Sequence, residues 1–208
     1  MESPFRDPAL RLIETFGWDG REFVRLARHR DRMAASAAAL GFPFRAAGFD
    51  AALPALPGAA PLRLRLTLDR AGQFALTQAP LDPAKGGWRV GLAATPVGAD
   101  DPRLAHKTTD RALYDQTRAA LPPGVDEMLF ANQRDEVTEG TITTLFFDLG
   151  HGLATPPLTC GCLAGCLRAD LLDSGRAHEA ILHRDDLPRA RLWVGNSLRG
   201  LISARFVL

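Results

Sequence analysis

The segment Leu62-Arg63-Leu64-Arg65-Leu66-Thr67-Leu68 alternates leucine with polar residues without a break. Successive side chains of an extended chain point to opposite faces, so this reads as a β-strand with one apolar face. Arg70-Ala71-Gly72 is a turn signal that sends the chain back through a second strand at Gln73 to Thr77. From about Arg28 to Leu40 the alanine-rich, proline-free stretch favours a helix, stopped by Gly41 and by Pro43, which cannot continue it. Leu12 to Gly17 and Glu22 to Leu26 read as two strands around the Asp19-Gly20 turn, a dipeptide that tolerates the positive φ of a tight hairpin.

Further along, Trp88 to Ala94 reads as a third strand of this half, and Thr95-Pro96-Val97-Gly98-Ala99-Asp100-Asp101-Pro102 as a linker. The expected division is a smaller N-terminal α/β domain over 1–100 and a larger C-terminal domain over 101–208. The second half predicts a helix after Lys107, strands at Glu127 to Ala131 and Ile142 to Asp148, a helix from Gly165 to Ser174, and closing strands at Arg191 to Val194 and Leu201 to Val207. The Ala/Pro-rich stretch Ala51 to Pro61 reads as a surface excursion.

Twenty-five basic against twenty-four acidic side chains leave a formal charge of +1, which gives no electrostatic footprint for nucleic acid or an anionic membrane. A small molecule is the expected partner. The longest apolar runs, such as Ala34 to Leu40, are too short to span a bilayer, and Met1-Glu2-Ser3-Pro4 lacks the order of a signal peptide, so the expected compartment is the cytoplasm. Cys160, Cys162 and Cys166 are expected to be reduced. Their C-x-C-x3-C spacing matches no common zinc pattern, even with His151 nearby, and no metal is expected.

Four segments in order carry the chemistry. Lys107 comes first, then Glu136-Val137-Thr138-Glu139-Gly140-Thr141, then Ala154-Thr155-Pro156-Pro157-Leu158, then Leu163-Ala164-Gly165-Cys166-Leu167-Arg168. This order closely resembles the class IV aminotransferase family, the fold-type IV pyridoxal-phosphate enzymes, in which a Schiff-base lysine precedes a T-E-G turn, a T-P-P segment and an L-P-G-x-x-R helix start. The resemblance implies an α+β, two-domain fold like that of the D-amino-acid and branched-chain aminotransferases, here with a shortened N-terminal domain. It also implies pyridoxal 5'-phosphate as cofactor, bound by the C-terminal domain, and a homodimer.

Pyridoxal phosphate requires a lysine to hold it, a carboxylate near its ring nitrogen, and cationic or backbone donors for its phosphate. By resemblance Lys107 is the catalytic lysine; Lys85, the only other lysine, sits in a Gly-rich turn. Glu139 would keep the ring nitrogen protonated. Arg32, in His29-Arg30-Asp31-Arg32-Met33, aligns with the family's helix arginine that grips the phosphate with paired donors. Gly165, Cys166 and Leu167 open a helix whose N-terminal N–H groups suit an anion. Asn196 and Ser197 resemble the C-terminal loop of phosphate contacts, and Thr144 stands where the family's asparagine follows the T-E-G turn. Arg63, Arg65 and Arg199 are candidates for a substrate carboxylate, although a solvated strand face accounts equally well for the first two.

Within the family, branched-chain aminotransferases carry a tyrosine five residues after the lysine, where this chain has Ala112. Lys107-Thr108-Thr109-Asp110-Arg111 and Asn196-Ser197-Leu198 resemble instead the K-x-x-N-R and N-[SA]-L segments of aminodeoxychorismate lyases, with Asp110 for the asparagine. The implied function is a lyase releasing pyruvate and p-aminobenzoate. The alternatives are a class IV aminotransferase acting on amino acids and 2-oxo acids, and a cofactor-binding homologue with little activity. Ile13-Glu14-Thr15 alone represents the family's Y-G-D-G-x-F-E-T segment.

Overall fold

The computed structural model describes residues 5–56, 58–82 and 86–207. Met1-Glu2-Ser3-Pro4, Pro57 and Lys85, singled out above or part of stretches that were, lie outside them. The described residues form two compact units. The first takes residues up to 82 together with His106–Asp110, and the second takes 86–105 and everything from Arg111 onward.

The first unit is a three-stranded antiparallel sheet, β1 (Leu12–Trp18), β2 (Leu62–Leu68) and β3 (Phe74–Pro80), with β2 in the middle. The leucine face of β2 is fully buried at Leu64, Leu66 and Leu68. It packs in one cluster with Leu12 and Phe16 of β1 and with Met33 and Ala37 of helix α1 (Leu26–Leu40). Burying each such side chain contributes about 1.5–3 kcal/mol. His29, Met33 and Ala37 recur every four residues, which places them on one stripe of α1 facing the sheet. The helix ends at Gly41, whose φ of 71° is the left-handed cap that glycine adopts without penalty.

Two expectations change here. Residues 22–26 form no strand: only Trp18 bridges Phe23, Arg25 turns left-handed, and α1 begins at Leu26. Asp19 instead closes a local turn, its carboxylate accepting from the N–H groups of Arg21 and Glu22. β1 pairs over its whole length with β2, Leu12 opposite Leu68 and Trp18 opposite Leu62, because that register extends the buried leucine face. The stretch after helix α2 (Ala46–Ala51) is also more than a surface excursion. Leu53 and Leu56 pack on the core, and Gly58 accepts a 2.9 Å hydrogen bond from the Trp18 indole.

The second unit is built around β4 (Trp88–Leu92), β5 (Glu127–Ala131), β6 (Val137–Gly140), β7 (Thr144–Asp148), β10 (Arg191–Asn196) and β11 (Gly200–Phe206). Neighbours pair in the order β10-β11-β4-β5-β6-β7, and β7 pairs back onto β10, so the six strands close. Closure removes open edges and fills the interior with alternate side chains: Val90, Leu129, Val137, Leu145, Phe147, Leu192, Val194 and Ile202 form one buried cluster. β4, expected as a strand of the first half, pairs in parallel with β5 and β11. The short strands β8 (Ala154–Thr155) and β9 (His178–Glu179) extend the sheet beyond β7. Helix α3 (Ala112–Ala119) precedes β5, and helix α4 (Cys166–Asp173) packs Leu167 and Leu171 against Phe146 on the outer face.

Candidate functional site

In the second unit the strand register brings the predicted residues together. Glu139 at the end of β6 is paired with Thr144 at the start of β7, and Thr144 in turn with Gly195 of β10. A methyl group on Gly165 would come within 2.6 Å of the Thr144 hydroxyl, and one on Gly195 within 2.9 Å of Leu167 and 2.5 Å of the Gly200 carbonyl. Glycine at both positions is thus what lets the start of α4 approach the β7–β10 pair. Gly165 caps α4 in an extended conformation with no side-chain cap. The first-turn N–H groups and the positive end of the helix dipole favour an anion at such a position. Asn196 shapes the β10–β11 turn: its carbonyl accepts from the N–H groups of Leu198 and Arg199 at 3.1 and 3.0 Å, and its amide donates to Ile142 at 3.1 Å. Ser197 is buried beside it and Arg199 is half-buried.

The Glu139 carboxylate is buried and held from two sides. Tyr114 of α3 donates to Oε1 at 2.8 Å, and the Leu163 backbone N–H donates to Oε2 at 3.2 Å. Burial, and then the Glu139 charge, push the Tyr114 phenol above its ordinary range. Burial likewise pushes Cys162 up to about 12, with the Glu139 charge adding to it, and Cys160 is pushed to about 12 by burial and by Glu136. These two thiols therefore stay protonated near neutrality, and the described cysteines form no disulfide.

Behind Glu139 lies a carboxylate that sequence reasoning passed over. Glu127, fully buried at the start of β5, accepts hydrogen bonds from the N–H of Thr141 (3.0 Å) and of Ile142 (3.2 Å), from the hydroxyl of Thr143 (2.9 Å), and from the hydroxyl of Thr141. It fastens the turn that follows Glu139-Gly140. Arg111 donates to the Thr141 carbonyl at 2.8 Å from the other side.

In the first unit Lys107 lies in a segment running antiparallel to the start of β1. Its carbonyl accepts from Ile13 at 2.8 Å, Thr109 donates to Arg11 at 2.9 Å, and Thr108 bridges Leu12. His106 bonds Ser36 of α1 at 3.0 Å, so the residues on both sides of the lysine are tied to the unit's core. Lys107 itself is half-buried. Arg32 forms a bidentate pair with Glu14, Nε to Oε1 at 2.8 Å and Nη2 to Oε2 at 2.5 Å, while His29 Nδ1 meets Glu14 Oε2 at 2.6 Å. Burial alone would raise the Glu14 carboxyl, but the Arg32 charge and the hydrogen bonds from His29 and Arg32 outweigh it and hold it at about 2. Burial lowers His29, so it is a neutral imidazole with its proton on Nδ1. One edge of the Arg32 guanidinium is thus committed to Glu14. Arg63 and Arg65 stand on the exposed face of β2.

Glu14 and His29 were not singled out from sequence, although each left a trace. Glu14 is a lone carboxylate in the apolar strand Leu-Ile-Glu-Thr-Phe, and His29 and Arg32 are one helical turn apart.

Set against known proteins, residues 11–206 match the amino-transferase class IV family. A Schizosaccharomyces pombe protein, provisionally named an aminodeoxychorismate lyase, is 30% identical over 187 residues, covering 85% of this chain and 80% of that one. The crystal structure of a provisionally named amino-acid aminotransferase from Mesorhizobium loti has a TM-score of 0.88 at 45% identity, covering 95% of this chain and 100% of the other. The 4-amino-4-deoxychorismate lyase of Pseudomonas aeruginosa shares the fold, with a TM-score of 0.78 at 22% identity over 94% of this chain and 82% of its own.

Proposed function

The chain belongs to the class IV aminotransferase family, with its α+β fold-type IV architecture, and we propose that it is a pyridoxal-phosphate-dependent lyase releasing pyruvate and p-aminobenzoate from 4-amino-4-deoxychorismate. What supports a cofactor site above all is the run of contacts from Glu139 through Thr144 and Gly195 to Gly165 and Leu167. It sets a buried carboxylate beside a glycine-capped helix start. That donor set fits a molecule carrying a basic ring nitrogen and a phosphate. The Lys107-to-Arg111 segment, the Asn196-Ser197-Leu198 turn and the name of the S. pombe relative favour the lyase.

When bound, pyridoxal phosphate supplies an aldehyde to capture the substrate amine and a protonated ring to withdraw electrons from the neighbouring carbon. Lys107 holds the cofactor at rest, and its amine takes the proton from the carbon bearing nitrogen. Glu139 keeps the ring nitrogen protonated. The N–H groups at Gly165, Cys166 and Leu167, with Thr144, Asn196 and Ser197, receive the phosphate, and Arg32 adds a cation. Arg63, Arg65 and Arg199 are the candidates for the substrate carboxylate. Departure of pyruvate leaves an aromatic ring, which makes the elimination downhill. The working form we propose is a cytoplasmic homodimer.

A second reading, a class IV aminotransferase exchanging amino groups between amino acids and 2-oxo acids, draws support from the 45% identity to the M. loti protein. Both readings need the same proton abstraction by Lys107. The test is borohydride reduction of the loaded protein with peptide mapping, followed by assay with aminodeoxychorismate and with amino-acid and oxo-acid pairs. Trapping at Lys107 with release of p-aminobenzoate is the expected result. Trapping at Lys85 would overturn the lysine assignment, and amino transfer without p-aminobenzoate would favour the second reading.

A further inference from the structure

The Glu139 carboxylate needs more than burial to serve a ring nitrogen, since a carboxylate that is too basic would take the proton it is meant to leave on the ring. The Tyr114 hydroxyl answers that need. It donates to Oε1 while the Leu163 N–H donates to Oε2, so both carboxylate oxygens receive a neutral donor. Hydrogen bonds to the charged form favour it and make it a weaker base. Two donors from different elements, α3 and the loop before α4, also fix the plane of the carboxylate.

The tyrosine is itself held. Its ring packs on the fully buried Phe130 with centroids 4.9 Å apart, and the Arg111 guanidinium lies 5.6 Å from its centroid. Arg111 is in turn bonded to Thr141 and, at 2.7 Å, to Asp115. A phenol that stays protonated can only donate to the carboxylate and never competes with it for the proton.

We propose that Tyr114 is a positioning residue for the reaction: it orients Glu139, keeps it ionised, and so keeps the proton on the cofactor's ring nitrogen. This rests on the reading of Glu139 as the ring's partner. Ala112 occupies the position where branched-chain enzymes of the family carry their tyrosine. Tyr114 lies two residues beyond it and acts through the carboxylate.

The test uses the full chain loaded with ring-15N-labelled pyridoxal phosphate. In the parent protein the ring nitrogen should resonate as protonated at neutral pH. Tyr114→Phe keeps the aromatic packing and removes only the donor. It should move the 15N signal toward the unprotonated position and lower kcat about tenfold, the loss expected for one hydrogen bond to a charged group, with KM little changed. Tyr114 is the only tyrosine of the chain, so growth on 3-fluorotyrosine alters this phenol alone and makes it a stronger donor. The signal should then move the opposite way, an outcome that does not depend on how well Tyr114→Phe folds. A 15N position unmoved by fluorination, or unmoved in a folded Tyr114→Phe, overturns the role of Tyr114. An unprotonated nitrogen in the parent, or no covalent cofactor there, sinks instead the underlying reading of Glu139 or Lys107.

Discussion

Arg32 carries two demands at once, and the sequence disclosed only one of them. The resemblance marks it for a phosphate, but in the fold it is also the cation of Glu14, a carboxylate buried to 1% exposure. Removing one partner of a buried pair leaves an uncompensated charge and costs about 3–5 kcal/mol, so Arg32→Ala should destabilise the protein before any effect on cofactor is read. In the double variant Arg32→Ala/Glu14→Gln the stranded charge is gone, and urea unfolding should recover most of that loss. A cofactor affinity still lowered roughly tenfold to a hundredfold, the 1.5–3 kcal/mol of a charged hydrogen bond, would isolate the phosphate contact. Normal affinity in the double variant would make Arg32 purely structural. The pair also sets an acid limit. Glu14 sits at about 2 in the fold against an ordinary 4.5, so its contribution is complete above 4.5 and disappears as pH falls toward 2. Glu14→Gln should flatten the stability profile in that window. Tyr114 sets the alkaline counterpart: its phenol is raised above the ordinary 10.0, so its contribution holds below pH 10 and fades above it. Tyrosinate absorbance should therefore rise only as the protein unfolds, and ionisation of the folded protein near pH 10 would contradict its bond to Glu139. Glu14, Glu127 and Tyr114 were hard to find because a carboxylate in a strand or a tyrosine on a helix shows nothing of its partner, which lies 18, 16 or 25 residues away.

Among the elements, those defined by local pattern were legible and those defined by partner choice were not. The leucine alternation of β2, the glycine-stopped α1 and the strand Glu127–Ala131 stand where the sequence puts them. The Asp19-Gly20 hairpin fails because its downstream arm offers a single bridge, whereas β2 offers β1 seven paired residues and a shared core. β4 looked like a third strand of the first half because periodicity reports a face and never a neighbour. The motifs named the second-unit residues that the strands bring together, Glu139, Thr144 and Gly165 among them, and were silent about the turn that holds them. Glu127 supplies that turn: it accepts from Thr141, Ile142 and Thr143 directly after Glu139-Gly140. In Glu127→Gln an amide nitrogen replaces an oxygen that was receiving donors, and the mismatched groups should cost about 1–3 kcal/mol. The displaced turn should also carry Glu139 with it, lowering turnover more than the stability loss accounts for. Thermal unfolding and steady-state kinetics on the same preparation check this; a variant that is less stable but turns over normally would confine Glu127 to the fold.

For the whole molecule, the near-neutral charge was legible from composition, while the closure of six strands was not, since nothing in β7 or β10 taken alone announces that they meet. Among the described residues no helix is long and apolar enough to cross a membrane. The proposed cofactor gives a handle on the entire chain, because a ligand that binds only the folded state stabilises it by about 2.7 kcal/mol at a hundredfold excess over Kd. For a chain of 208 residues, with about 2–4 °C of Tm per kcal/mol, pyridoxal phosphate should raise the melting temperature by roughly 5–10 °C. Lys107→Ala removes covalent capture but leaves the carboxylate and the helix start of the second unit in place. Its melting temperature should thus rise only slightly at the same concentration, and more when the ligand is raised. Sedimentation of the loaded protein should give two copies of the chain. An equal shift in Lys107→Ala would mean that the lysine is not the anchor, and no shift in the parent protein would remove pyridoxal phosphate from this fold altogether.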